Sequence, residues 1–273
     1  MNPPKLSLLM SVYQGDTPEQ LSAALRSVAL NSVVPDDIVI VIDGPISSAL
    51  HSVLLQWSAA LHLRLFPLAK NGGLGEALSY GLEHCKHDWV ARFDADDLCL
   101  PHRFEAQLRF IRENPGIHAF SSPVLEFSSH LSLRNLRLRS VPVGEQQLRE
   151  YAIRRNPFNH MSVVFYRPAV QAVGGYKSLP LFEDYGLWVR ILLNGSRLNN
   201  MSIPCVYARA GGDMLGRRCG WRYVCLEYQA MQQFRKWGFL TVAQLWLNLG
   251  LRLPLRLLPP SLVGLFYSAA LRR

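Results

Sequence analysis

The sequence predicts an α/β fold, a mostly parallel sheet flanked by helices, with a helical extension at the C-terminus. Three observations predict it. Short apolar runs alternate with stretches of helical period, the pattern of strands joined by helical crossovers. The early runs are apolar at consecutive positions, as expected of strands buried on both faces. Each of these runs then stops at polar residues: Ser11 and Tyr13, Asp43, and Asp94.

The elements follow in order. Lys5 to Tyr13 is the opening strand. Pro18 to Leu30 is a helix, with Thr17 as N-cap and Pro18 at the first position, where a missing N–H is tolerated. Asp37 to Asp43 is the second strand, and Gly44-Pro45 turns the chain. Leu63 to Phe66 is a third, short strand. Asn71-Gly72-Gly73-Leu74-Gly75 then opens a helix over Glu76 to Cys85. Its glycines allow close backbone approach, and the helix N–H groups favour an anion. Trp89-Val90-Ala91 is a fourth buried strand, and Leu98 to Pro101 turns into another helix. Ser162 to Tyr166 is strand-like. Leu187, Trp188, Ile191 and Leu192 recur at helical spacing, which puts Glu183 and Asp184 in the first turn of an amphipathic helix.

Arg92-Phe93-Asp94-Ala95-Asp96-Asp97 crowds three carboxylates at the C-terminal edge of a strand. Like charges so close are costly unless a cation shares them. Hard oxygen ligands suit Mg²⁺ or Mn²⁺, which can bridge a diphosphate. The bland alternative is a solvated acidic turn capping the next helix. Open parallel sheets bind ligands outside the carboxyl ends of their strands, and Ser11, Tyr13, Asp43, Asn71, Asp94 and Asp96 would meet there. Glu183 and Asp184 also read two ways: as acids favoured by a helix dipole, or as a base at the mouth of a site.

In this order, Ser11-Val12-Tyr13, Val41-Ile42-Asp43-Gly44, Asn71-Gly72-Gly73-Leu74-Gly75-Glu76-Ala77-Leu78 and Asp94-Ala95-Asp96-Asp97 resemble the family 2 inverting glycosyltransferases of the GT-A, Rossmann-like fold. Asn159-His160-Met161-Ser162, Gly174-Gly175-Tyr176 and Glu183-Asp184-Tyr185-Gly186-Leu187-Trp188 resemble that family's acceptor half. The resemblance covers residues 5 to 210. It is strongest to bacterial enzymes that build capsule, exopolysaccharide or O-antigen repeat units. One departure is Gly75-Glu76-Ala77-Leu78, where many relatives carry a small residue followed by Ala-Arg-Asn.

The resemblance implies a division of labour. Residues 1–100 would form a nucleotide-sugar half and residues 101–210 an acceptor half. Ser11, Tyr13, Asp43, Asn71, Gly72, Asp94, Ala95 and Asp96 would bind the nucleotide-sugar donor, with Asp43 on the nucleobase and Asp94 on the ribose or sugar. Asp96 would hold Mn²⁺ or Mg²⁺ at the leaving nucleoside diphosphate. Asp184 would be the general base that deprotonates the acceptor hydroxyl, in a single inverting displacement. His160, Glu183 and Trp188 would contact acceptor or diphosphate, or His160 the metal. Arg217, beside Arg218 after a glycine-flanked stretch, would close on a diphosphate from a mobile loop.

Residues 211–273 read as a basic, apolar helical tail. From residue 209 onward there are 10 Lys and Arg against 2 Asp and Glu, which accounts for +8 of the chain's net +9. Phe239 to Leu251 is apolar except for a stripe of Thr241, Gln244, Asn248 and Arg252. Pro254 and Pro259-Pro260 would break the run, and Ser261 to Leu271 would form a second helix before Arg272-Arg273. The tail either packs on the domain as core, or lies in a membrane interface with arginines at anionic headgroups. The interfacial reading fits a polyprenyl-diphosphate-linked sugar acceptor. It places the protein in the cytoplasm, peripheral on the inner face of the cell membrane, and expects removal of residues 238 to 273 to release a folded protein. The arginines and prolines disfavour a true span, and no nucleic-acid motif accompanies the charge.

The five cysteines have no C-x-x-C spacing and read as reduced, cytosolic thiols, and no signal peptide is read at the N-terminus. Two other function classes stay open. A sugar nucleotidyltransferase would also use paired aspartates, but its basic glycine-rich loop is missing from Gln14-Gly15-Asp16. An inactive sugar- or lipid-binding module would not need Asp43, Asp94, Asp96 and Asp184 intact.

Overall fold

The structure is a computed structural model that describes residues 4–128, 131–132, 135–210 and 219–257. Its centre is a seven-stranded sheet. Chain order gives β1 (Leu6–Tyr13), α1 (Pro18–Ala29), β2 (Asp37–Asp43), α2 (Ser48–Leu61), β3 (Arg64–Pro67), α3 (Leu74–His84) and β4 (Trp89–Asp94). Short β5 (Leu98–Cys99), α4 (Arg103–Glu113), β6 (Ile117–Ser121), β7 (Val124–Phe127), β8 (Arg137–Arg139) and α5 (Glu145–Ala152) follow. A 3-10 turn over His160–Ser162 leads to β9 (Val164–Tyr166), α6 (Arg167–Ala172), α7 (Glu183–Leu193), β10 (Arg197–Asn200) and β11 (Val206–Arg209). Two helices close the described chain, α8 (Trp221–Lys236) and α9 (Val242–Leu257).

The sheet runs β3-β2-β1-β4-β9-β6-β10, parallel except for β9. Alternate residues of its central strands enter opposite layers. Leu8, Met10, Ile38 and Ile40 pack on one side with Leu21, Leu25 and Val28 of α1. Leu9, Val39 and Val41 pack on the other with Leu78 and Leu82 of α3. A strand covered on both faces must be apolar at every position, which is how the sequence shows it. Helix α3 lies so close that a Cβ on Gly81 would sit 2.4 Å from Leu9 and 2.7 Å from Val41. Thr17 caps α1 through its hydroxyl, which accepts from the Gln20 N–H, and Pro18 starts the helix as expected.

Register brings the polar strand ends together. Tyr13 stands opposite Asp43, and Ser11 opposite Asp94. A second sheet, β5-β11-β7-β8, flanks this edge. The sequence reading took Leu98 to Pro101 as a turn, but Leu98 and Cys99 pair with Tyr207 and Val206 of β11. All five cysteines are unpaired thiols.

The described part of the tail packs as the core alternative expects, and its details differ from the sequence reading at Pro254 and in the polar stripe. Its helices join the core: Tyr223, Met231, Phe234, Leu245 and Leu249 pack with Phe182, Tyr185 and Val189 of the α7 region. Cutting before residue 238 would strip cover from that cluster, so a folded product is no longer expected. Helix α9 also continues through Pro254 to Leu257. The carbonyl that Pro254 leaves without its N–H partner belongs to Gly250, an exposed residue. Finally, the distal part of the polar stripe faces inward, while Thr241 stays exposed. Asn248 is buried and donates to the Ile153 carbonyl at 2.8 Å. Arg252 and Arg256 meet the buried carboxylate of Glu227 at 2.7 and 3.1 Å. The expected helix over Ser261 to Leu271, and Arg272-Arg273, lie outside the described residues.

Two guanidinium groups around one buried carboxylate tie α9 to α8. Removing one side of such a group leaves the other charged and poorly solvated, at a cost of about 3 kcal/mol or more. Glu227→Ala is therefore expected to lower unfolding stability by about 3 kcal/mol in a urea titration. A loss under about 0.5 kcal/mol, the range of an exposed pair, would show that water reaches the group.

Candidate active site

The carboxyl edge of β1, β2 and β4 carries the predicted donor residues. Asp94 ends β4 and forms a bidentate ion pair with the buried guanidinium of Arg92, two residues earlier in the same strand. Ligand oxygens of Asp94, Asp96 and Asp97 lie within 4.8 Å of one another, the sole group of this kind among the described residues. Asp97 accepts the Arg209 N–H at 2.6 Å, and Arg209 Nε donates to the Asp96 carbonyl at 3.1 Å. The second sheet, through β11, thus braces the acidic turn.

Burial, with Asp94 nearby, raises the pKa of Asp96. Burial, then the charges of Asp94 and Asp96, raises that of Asp97 further. Asp16, whose carboxylate accepts the Tyr13 N–H at 2.9 Å, is pushed up to about 6, mainly by burial, with Asp96 and Asp94 adding to it. Three close hard oxygens, two of them reluctant to ionise together, are a donor set that a divalent cation fits. Among the described residues Asp94 has the Arg92 guanidinium and Asp97 the Arg209 N–H, and Asp96 has neither.

Asp43 is placed differently from its expected contact with the nucleobase. It is 3% exposed, and its two oxygens accept the N–H groups of Gly72 and Gly73 at 2.7 and 3.1 Å. Asn71 Nδ2 donates to the Asp43 carbonyl at 3.1 Å. The carboxylate therefore holds the glycine loop in place. Gly44 is at φ +79°, and a Cβ there would fall 2.5 Å from the Asn71 nitrogen. Helix α3 begins at Leu74, two residues before its predicted start. Glu76 bends back over the loop, where a Cβ on Gly72 would meet its carboxylate at 2.5 Å. Ser11 is half-buried, Tyr13 is 43% exposed, and Ala95 is buried between the acids.

The acceptor half approaches from α7. A Cβ on Gly75 would lie 3.4 Å from Glu183, so the first turn of α7 meets the glycine loop. Asp184 is fixed through both oxygens: Oδ1 accepts the Tyr185 N–H at 2.7 Å, and Oδ2 accepts Asn156 Nδ2 at 2.6 Å. Asn156 is itself held by the Phe158 N–H, which donates to its Oδ1 at 3.2 Å. Burial, and then the neighbouring Asp184 charge, raises the pKa of Glu183.

Tyr176 joins the two halves. Burial raises its pKa against the pull of Arg92, and Asp184, Glu183 and Asp94 are all near enough to raise it further. Its hydroxyl lies 3.0 Å from His160 Nε2. Burial, then Arg92, lowers the His160 pKa well below the usual histidine range, so the ring is neutral. His160 packs near the Trp188 ring and is not part of the carboxylate trio. Trp188 is fully buried against Phe158 and Phe165. It therefore has no surface for the acceptor contact expected of it. Arg217, and the loop it was read to sit on, lie outside the described residues. The sequence reading gives no role to Arg92, Asn156, Tyr176 or Arg209, although Arg92 and Tyr176 stand in stretches it singles out. Arg92 carries a further signal, since an arginine inside an apolar strand needs a buried partner.

The family model for glycosyl transferase family 2 matches residues 7–168. The chain belongs to glycosyltransferase family 2. Two curated relatives agree along nearly the full length. The amylovoran biosynthesis glycosyltransferase AmsE of Erwinia amylovora is 37% identical, over 96% of this chain and 97% of its own. The UDP-Gal:alpha-D-GlcNAc-diphosphoundecaprenol beta-1,3-galactosyltransferase of Escherichia coli is also 37% identical, over 99% and 98%. Solved structures share the fold. S. aureus TarS 1–349 in complex with UDP-GlcNAc superposes with a TM-score of 0.67 at 16% identity, over 90% of this chain and 70% of that one. A Pyrobaculum calidifontis mannosyltransferase in complex with GDP-Man and Mn²⁺ gives 0.66 at 17%, over 98% and 75%. This family 2 enzyme is therefore a GT-A glycosyltransferase, and neither the nucleotidyltransferase nor the inactive-module reading is retained.

Proposed function

We propose that the protein transfers a hexose from a UDP-linked donor to a polyprenyl-diphosphate-linked sugar, with inversion, during surface polysaccharide synthesis. The observation that carries this is the carboxylate trio Asp94-Asp96-Asp97 at the carboxyl edge of the sheet, with the first turn of α7, which bears Glu183 and Asp184, meeting the glycine loop of the same edge. The full-length similarity to a UDP-Gal-dependent enzyme acting on a diphosphoundecaprenol acceptor supports the donor and acceptor classes.

Asp184 takes the proton from the acceptor hydroxyl. The hydroxyl oxygen attacks the anomeric carbon on the face opposite the diphosphate. The new C–O bond forms as the old one breaks, and its electron pair leaves with the nucleoside diphosphate. Asn156 and the Tyr185 N–H hold the base, and Arg92 holds Asp94 toward the donor. Asp43 shapes the Asn71–Gly73 backbone, and Ser11, Tyr13 and Ala95 line the remaining donor edge. Asp96, with Asp94 and Asp97, would hold Mn²⁺ or Mg²⁺, which supplies Lewis-acid neutralisation of the departing diphosphate. A neutral His160 steadies Tyr176. An acceptor anchored in lipid places the work at the cytoplasmic face of the membrane, where nucleotide-sugars are supplied. Among the described residues no helix is long and apolar enough to cross that membrane.

The test is product analysis with purified protein, a GlcNAc-diphosphate-lipid acceptor, Mn²⁺ and a donor panel led by UDP-galactose, with UDP-GlcNAc and GDP-mannose beside it. UDP release matched by a glycosylated lipid of inverted linkage is expected. Hydrolysis without acceptor dependence, or activity with GDP-mannose alone, would overturn the reading.

A further inference from the structure

Helix α9 is built inside out for a helix that packs on a water-soluble domain. Such a helix normally turns its polar side to solvent. Here Asn248, Arg252 and Arg256 face the protein, through Ile153 and Glu227. The outward side carries Val242, Trp246, Leu247, Leu251 and Leu257, each between 51% and 60% exposed. The other exposed positions of this helix after Val242 are an alanine, a glycine and a proline, with no charge among them. Scattered exposed leucines are ordinary, but a whole helix face of them is not.

The surroundings are basic. Among the described residues α8 exposes Arg222, Arg235 and Lys236 and no acid, its one glutamate being buried against Arg252 and Arg256. The Gly220 N–H donates to the Arg256 carbonyl at 2.8 Å, so the start of α8 lies beside the end of α9. There Trp221 is 70% exposed and Arg222 is exposed next to it. Apolar area with an indole, next to excess positive charge, is complementary to an anionic bilayer interface. A protein partner of matching shape would not need the charge.

We infer that the outward face of α9, centred on Trp246, Leu247 and Leu251, inserts into the interfacial layer of an anionic membrane, with Arg222, Arg235 and Lys236 of the neighbouring α8 at the headgroups. This deepens the membrane association proposed above and rests on that reading only for its purpose. The face, and not the arginines of the helix, is the anchor. Arg252 and Arg256 are structural.

Full-length protein is mixed with vesicles of phosphatidylglycerol and phosphatidylcholine, without donor or acceptor, and sedimented. Binding should increase with the phosphatidylglycerol fraction and fall with salt. The variant Trp246→Ser, Leu247→Ser, Leu251→Ser should partition at least about tenfold more weakly. Its circular dichroism and melting temperature should match wild type, because these side chains leave exposed positions. Transfer to a short-chain, water-soluble acceptor analogue should persist, while transfer to acceptor in vesicles falls. Equal partitioning of folded variant and wild type would overturn the inference. A wild-type dimer without lipid, made monomeric by the same changes and indifferent to vesicles, would also overturn it, by assigning the face to a second copy. Vesicle binding without transfer from any donor would instead overturn the proposed function and leave this surface standing.

Discussion

Asp96→Ala is expected to abolish transfer almost completely, and EDTA is expected to do the same to the wild type. Mn²⁺ or Mg²⁺ should then restore the wild type and not the variant. The size follows from charge. A divalent ion at a departing diphosphate contributes several kcal/mol, and about 4 kcal/mol corresponds to roughly a thousandfold in rate. The structure explains why Asp96 is the member to change. Among the described residues Asp94 is held by Arg92 and Asp97 by the Arg209 N–H, whereas Asp96 has neither. Binding is read separately, by the Mn²⁺ paramagnetic signal in a protein titration. The variant should hold Mn²⁺ far more weakly while its melting temperature stays within a few degrees. Full activity in chelator would make the acidic turn a structural cap braced by Arg209, and the metal role would fall.

The donor edge was legible because its physics is local. A strand buried on both faces has to be apolar at each position, so β1, β2 and β4 stand out, and the acids after them stand out in turn. Where a contact depends on a distant partner, the sequence is silent. Strands of the second sheet are two to four residues long, too short to show a period, and β5 exists only because β11 pairs with it. Helix α8 shows no clean apolar face in the sequence, because Glu227, a glutamate, occupies one of its buried positions. The inward side of α9 is hidden from the sequence for the same reason. Its stripe of Asn248 and Arg252 looks like a solvent face until Glu227 and the Ile153 carbonyl are brought to it.

At the site, chemistry was easier to read than partnership. Asp43 was recognised as a strand-end acid, but its engagement by Gly72 and Gly73 depends on a loop almost thirty residues later. Trp188 shares the helical run of Leu187 and Ile191, and nothing in that run says that all of its indole is covered. Asn156 stands in Arg155-Asn156-Pro157, which reads as a turn. Only the fold carries it to Asp184.

Asp184→Asn is expected to lower turnover by at least about a hundredfold, the usual contribution of a general base. Affinity for UDP, measured by calorimetry, should change little, because the proposed donor site lies at the ends of β1, β2 and β4, away from Asp184. The substitution also disturbs geometry. Asp184 accepts from the Tyr185 N–H on one oxygen and from Asn156 Nδ2 on the other. An amide in its place sets an NH₂ against one of these donors, so loss of basicity and loss of position arrive together. Asn156→Ala separates them. It keeps the carboxylate and removes one donor to its charged form, which lets the pKa rise. The acid limb of the pH–rate profile should therefore move to higher pH, with the loss in turnover larger at acid than at alkaline pH. A purely structural Asn156 would lower activity equally at every pH. If Asp184→Asn turns over at the wild-type rate, the base is another group. Glu183 is then the next to change, since burial and its neighbour already raise its pKa and it reaches the same glycine loop.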